Sequence, residues 1–475
     1  MSSTSSSPPA SNAVQPYRMH VSQKYLDLTR QKLELTRLPR EPRNVARNFD
    51  DGVSKQDFES LLDHWQERYD WRKQESLYND LLPQSRVPIN GTRLHFVHQR
   101  SESVTAIPLL FIHGWPESFI AVSKIINALC TPEIAPGHGH EGSPAFHVVA
   151  PSIPGFAFSD PVPEAGNNMH ATAEIFDALM KGLGYHQYLL HGTGWGFRVA
   201  RMLALFHPGS CLGIHTVNPE VPAPSTAFDS IYGNSPRPED YMAGYMFPVT
   251  DWSTTSPSAA APTWPHSTSV ANVDRPQTLA YALCDSPSGL LSYIVDAIRP
   301  ALSASPPHTP GSSKAQSSAA SPATPRCYGL SPQSPRSSQG QSPGASQCLE
   351  AADSRLAWPL TSIIDWTMIY WLSGPEVALR WVAASTTLLP TLWTSHSAVP
   401  LAISYFQDTA LNDGSIQMPP QWAEAYHRIV MLRRREGQVR FPAWERPAEV
   451  IEDIRAFASL LYLPTSSSPS EYRMH

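Results

Sequence analysis

The chain has 475 residues, 41% of them hydrophobic and 16% charged, with a formal net charge of −6. That length suits one large domain, or one domain carrying an insertion. A mildly acidic balance gives no electrostatic ground for a nucleic-acid partner, and no run of about eighteen apolar residues offers a membrane span.

The N-terminus, MSSTSSSPPASNAVQP, is polar and Ser/Pro-rich and lacks the apolar centre of a secretory signal, so residues 1–16 are predicted to be disordered. Five cysteines, at 130, 211, 284, 327 and 348, form no CxxC pair. Their odd number and scatter predict reduced thiols in a cytoplasmic protein, with neither a disulfide framework nor a metal site.

VSQKYLDLTRQKLELTRLPR carries Tyr25, Leu26, Leu28, Leu33 and Leu35 at roughly helical spacing and stops at Pro39. SKQDFESLLDHWQERYDWRKQESLYNDL reads as a second amphipathic helix, with Phe58, Leu61, Leu62, Trp65 and Tyr69 near one face. Together they predict a helical N-terminal extension over 17–85. INGTRLHFVHQRS then suits an edge strand and IPLLFIHGWP a buried strand. SFIAVSKIINAL reads as a helix, AFHVVAPSIPGFAFSDP as a strand with its loop, and ATAEIFDALMKGLGY as a helix. YLLHG is a strand, and GFRVARMLALFHP the helix after it. Strands alternating with helices predict a doubly wound, mostly parallel sheet whose first part covers 86–222. The continuously apolar strands agree, since such a sheet is covered on both faces.

From 223 to about 380 the rhythm changes. A Pro/Ser stretch precedes two helical segments in RPQTLAYALCDSPSGLLSYIVDAI, and a Ser/Pro/Ala/Gln-rich insert occupies about 300–350. That insert has too few apolar side chains to order itself and is predicted to be disordered. The helical part reads as a lid over the sheet's carboxyl edge. Residues 381–463 complete the core, with VPLAISYF as a strand and AEVIEDIRAFASLLYL as the closing helix, and 464–475 form a tail.

Four stretches carry a resemblance: FIHGWPESF (111–119), PSIPGFAFSDP (151–161), LLHGTGWGFRVA and FPAWERPAEVIEDIRAF (441–457). Together with WRKQESLYNDL in the extension, they resemble the epoxide hydrolase family, microsomal-type branch. The resemblance implies an α/β-hydrolase fold with a helical lid, no cofactor and no metal. It also implies hydrolysis of an apolar epoxide to a vicinal diol through an ester on a side-chain carboxylate. The implied oxyanion hole is His113, Gly114, Trp115 and Pro116 with Trp195.

The same resemblance places other roles on residues that do not suit them. The nucleophile position is Gly194, with only Thr193 beside it, and an unactivated hydroxyl there needs a base. The base position, a histidine in the family, is Arg440, which does not take up a proton near neutral pH. His427 is a nearby alternative. The orienting acid falls on Asp408, with Asp413 as a loop alternative. The lid proton donors fall on Thr268, with Tyr245 upstream as a stand-in, and on Trp381 or Val382. Two readings of this pattern stand open: a member of the lineage that has lost its catalytic groups, or a retained intron or frameshift in the transcript. A protein that binds small molecules or a partner without turnover is the alternative from another class. The sequence leaves oligomeric state open.

Overall fold

The computed structural model describes residues 13–40, 52–131, 143–163, 166–222, 275–302, 357–407 and 420–462. Among them runs a nine-stranded sheet in the order β1-β2-β3-β5-β4-β6-β7-β8-β9. β1 (Gln15–Pro16), β2 (Gln84–Ile89) and β3 (Thr92–Gln99) form an antiparallel flank, and β3 also pairs antiparallel with β5 (Phe146–Pro151). From β5 onward all pairings are parallel, through β4 (Ile107–Ile112), β6 (Tyr188–Gly192), β7 (Cys211–Val217), β8 (Ser397–Gln407) and β9 (His427–Glu436). The chain leaves β4 for β5 on one side and returns to β6 on the other. The strand order therefore reverses beside β4, and a crevice opens at the carboxyl ends of β4 and β6, where α/β sheets place ligands. Ile112 pairs with Gly192 in register, so the loops after these strands start side by side.

β3 is an interior strand, where the sequence suggested an edge, because β2 covers its outer side. Its burial is correspondingly continuous from Leu94 to Val97. β9 was hidden in HRIVMLRRRE by three consecutive arginines, which suit the outermost strand of a sheet. Of the predicted helices, 54–81 divides in two: α2 (Lys55–Glu67) and α3 (Trp71–Leu81) follow α1 (Gln23–Glu34). Each of the two has its own cap, Ser54 accepting from Asp57 N–H and Asp70 from Arg72 N–H. The predicted helix after Ser118 is a 3₁₀ segment over Phe119–Lys124 and a short α4 (Ile126–Cys130). β-branched Val122, Ile125 and Ile126 disfavour a longer regular helix there.

α5 (Met169–Gly182) and α6 (Trp195–Phe206) flank the sheet. α7 (Pro276–Asp285), α8 (Pro287–Leu302), α9 (Leu360–Ser373) and α10 (Glu376–Thr386) form the layer over the crevice. The N-terminal helices grip that layer: the hydroxyls of Tyr69 and Tyr78 both donate to Asp365 on α9, at 2.7 and 2.8 Å. Trp371 Nε1 donates to Thr29 at 2.8 Å. The short α11 (Leu389–Leu392), α12 (Pro420–Glu424) and α13 (Pro442–Glu445) precede the closing α14 (Pro447–Tyr462). Among the described residues no helix is long and apolar enough to cross a membrane, and Cys130, Cys211 and Cys284 are free. Cys327, Cys348 and nearly all of the Ser/Pro-rich insert lie outside the described residues.

Candidate active site

The turn between β6 and α6 keeps the geometry of a nucleophile-bearing elbow. Gly194 has φ 51° and ψ −118°, a conformation that strains any residue with a β-carbon. The flanking glycines are there for contact. A β-carbon on Gly196 would lie 2.1 Å from the Ile112 carbonyl oxygen, and one on Gly192 would lie 2.6 Å from the Gly196 carbonyl carbon. On Gly194 itself a β-carbon would meet nothing within 4 Å. The apex is thus sharply formed and sterically open, with no side chain on it.

The loop after β4 closes against this turn. The β-carbon position of Gly114 is 3.0 Å from Glu117 Oε2, 3.2 Å from the Thr193 carbonyl oxygen and 3.4 Å from the Trp195 nitrogen, so a side chain there would crowd this approach. Glu117 Oε2 accepts the Gly114 N–H at 2.9 Å, and Tyr370 on α9 donates to the Glu117 carbonyl at 2.5 Å. Burial raises the Glu117 carboxyl to about 7, against the lowering pull of the Gly114 N–H and of Arg440. His113 is occupied within the scaffold. Its Nδ1–H donates to the Gly114 carbonyl, its Nε2 accepts from Ile153 N–H, and burial lowers it to about 4. The Trp115–Pro116 peptide is cis.

A cavity of about 50 Å³ opens over the apex, lined by Gly114, Trp115 and Glu117 from one loop and by Thr193, Gly194 and Trp195 from the other. Asn218 and Glu220 after β7, and Val439 and Arg440 after β9, close its far side. Arg198 on α6 binds Glu220 Oε2 at 2.8 Å and stacks over Trp195 at 4.4 Å, while Arg440 reaches Glu220 Oε1 at 3.8 Å. Trp115 Nε1 and Arg440 Nε are buried without a hydrogen-bond partner.

The structure brings Thr193, Gly194, Trp195, Gly114, Trp115 and Arg440 to one cavity. Asp408, Asp413, Thr268 and Tyr245 lie outside the described residues. Trp381 and Val382 are buried, and Trp381 Nε1 donates to Thr172 at 2.9 Å while its ring packs on Phe156 and Trp195, so it is a packing residue joining α10 to the sheet's loops. His427 is no general base for this site: its Nε2 accepts from the Arg201 guanidinium at 2.7 Å, and burial and that charge hold its pKa well below the usual histidine range. Glu117, Glu220 and Arg198 went unread as site residues, although Glu117 stands inside HGWPESF. Also unread was Tyr293 on α8, whose buried hydroxyl has no partner and whose ring lies 6.3 Å from Trp115. No group of three or more His, Cys, Asp or Glu among the described residues is placed to hold a metal ion.

Comparison with known proteins accords with this geometry. Residues 14–122 match the family model described as epoxide hydrolase N terminus, and residues 107–256 that of the alpha/beta hydrolase fold. A protein of Stigmatella aurantiaca assigned to the epoxide hydrolases is 34% identical over 60% of this chain and 59% of its own length. Epoxide hydrolase 1 of Sus scrofa is 29% identical over 60% of this chain and 62% of its own. The matches thus span less than two thirds of these curated relatives. The solved epoxide hydrolase of Aspergillus niger superposes with a TM-score of 0.65 at 22% identity, covering 95% of this chain and 98% of that one, which establishes the shared fold. The chain is built on the α/β-hydrolase fold and is similar to the epoxide hydrolases over its N-terminal part and core.

Proposed function

We propose that this chain is an epoxide hydrolase-like protein that does not carry out the family's ester chemistry and holds small molecules at its cavity without turnover. The observation that carries this reading is the bare apex at Gly194. Opening a three-membered ring by the ester route needs a carboxylate bonded to the carbon, and hydrolysing that ester needs a base to activate water. At the base position Arg440 is an obligate cation beside Glu220. Nucleophile and base each support on the order of 10⁴-fold or more of rate in comparable triads, and they act as a unit, so without both only background hydrolysis is expected. Thr193 lines the cavity, but among the described residues no histidine is hydrogen-bonded to it.

What remains is a cavity at the elbow with Trp115 and Trp195 on one side and the polar groups of Asn218, Glu220 and Arg440 on the other, which is suited to binding. The experiment is incubation of the purified full chain with styrene oxide and with a fatty epoxide. The expected result is no diol above the uncatalysed rate. Diol formation that is lost in Asp408→Ala, or a covalent adduct localised near residue 194 by mass spectrometry, overturns the reading. A thermal-shift series with epoxides, diols and acyl amides tests retention, because a ligand that binds only the folded state raises the melting temperature.

A further inference from the structure

We propose that the cavity over Gly194 is a binding site for a small monocarboxylate, seated on Arg440 and the first N–H of α6, in the space that a side chain at residue 194 leaves empty. The proposal deepens the functional reading above and rests on its premise that residue 194 supplies no side-chain carboxylate.

Three observations converge. The first is space: nothing lies within 4 Å of a β-carbon position on Gly194, and the cavity above it measures about 50 Å³. That is room for roughly three or four waters, the size of formate or acetate.

The second is charge. Arg198 and Arg440 share one carboxylate, Glu220, at 2.8 and 3.8 Å. Of the other carboxyls nearby, Glu445 holds the Arg440 and Phe441 N–H groups through Oε1, and Glu117 holds the Gly114 N–H. Burial also favours the uncharged form of Glu117 up to about neutral pH. Among the described residues, Arg440, its side chain 31% exposed, meets Glu220 at 3.8 Å while Arg198 holds that carboxylate at 2.8 Å, which leaves the Arg440 guanidinium able to take a closer anion.

The third is hydrogen bonding. Arg440 Nε and Trp115 Nε1 are buried without a partner on residues that line the cavity. Trp195 begins the twelve-residue α6; the Gly196 and Phe197 N–H groups are taken by the Thr193 carbonyl, while the Trp195 N–H has no backbone acceptor and stands at the positive end of the helix dipole. A planar carboxylate uses a guanidinium fork and a second donor together; a spherical halide cannot match that geometry.

The test is titration of sodium acetate into the intact protein, followed by saturation-transfer NMR, with sodium chloride at equal ionic strength as the competing anion. Saturable acetate binding in the millimolar range is expected. Arg440→Gln should weaken it by about tenfold or more, as loss of a charge-assisted contact does. Gly194→Asp, checked for folding by near-UV circular dichroism, should abolish it, because its own carboxylate occupies the same space. No saturable binding by the wild-type chain, unchanged binding by Arg440→Gln, or displacement by chloride at concentrations comparable to acetate each overturns the proposal. The readout needs no turnover. Diol production would overturn the reading in the preceding section and leave an acetate result standing, and the reverse also holds.

Discussion

At the scale of single residues, the three glycines of the elbow differ in what they tolerate. Gly196→Ala places a methyl 2.1 Å from a strand carbonyl, so backbone must shift, at an expected cost of about 3 kcal/mol or more. Gly194→Ala meets open space and bears only its φ of 51°, a cost of about 1–2 kcal/mol. Urea midpoints for the two variants check the order; equal losses would contradict the contact argument. Glu117 is a second test. A carboxyl raised to about 7 in the fold, against about 4.5 when unfolded, is destabilising once pH rises through that interval, because the unfolded chain ionises first. Glu117→Gln keeps an acceptor for the Gly114 N–H and cannot ionise. Its stability should match wild type near pH 4 and exceed it by roughly 3 kcal/mol at pH 8. A difference that does not change with pH would show that Glu117 is already neutral or already solvated there.

At the scale of elements, α6 was legible and its role only half so. GFRVARMLALF reads as a helix, and ten of its twelve residues are buried, but no periodicity reveals what Arg201 does there. Its guanidinium donates to the carbonyls of Leu392, Ser395 and Tyr426 and to His427 Nε2, and stacks over Trp393 at 4.5 Å. It ties α6 to α11 and to the start of β9. Arg201→Ala should cost at least about 3 kcal/mol, since several buried acceptors lose their donor together. Thermal melts would show it, and a loss under about 1 kcal/mol would mean that water replaces the guanidinium. This contact also explains why His427 could not be judged from sequence: a lone histidine near a motif looks like a candidate base until its partner is known. The same limit hid β9, whose charged outer positions mask a strand, and the division of 54–81, where Asp70 was passed over as a cap. The crevice itself was readable, because apolar runs ending in HGWP and HGTGWG name the loops that meet there. Glu220 and Arg198 were not, for they reach the cavity from after a strand and along a helix whose packing no local pattern encodes.

For the whole molecule, buried neutral histidines set the acid limit of stability. Burial lowers His95 to about 3 and His113 and His215 to about 4. His215 belongs to a buried chain running from His191 through Ser404 to Asp453, with links of 2.9, 3.1 and 2.7 Å. A base with a depressed folded pKa stabilises the fold above its unfolded value of 6.5, and that contribution is lost as pH falls toward the folded value. The melting temperature should therefore decline steadily between about pH 6.5 and 4. His215→Gln, which cannot take up a proton, should flatten that decline; an unaltered slope would assign the acid sensitivity to other groups.

The close fit of Gly192 and Gly196 against the neighbouring backbone has one more consequence. Those two positions answer to the mechanics of packing a helix across a strand, whereas Gly194 meets no neighbour and is constrained only by its backbone angles. The flanking pattern can therefore persist whichever residue stands at the bend, and by itself it says nothing of the chemistry there. Whether a given member turns over substrate has to be asked of the single letter at the bend.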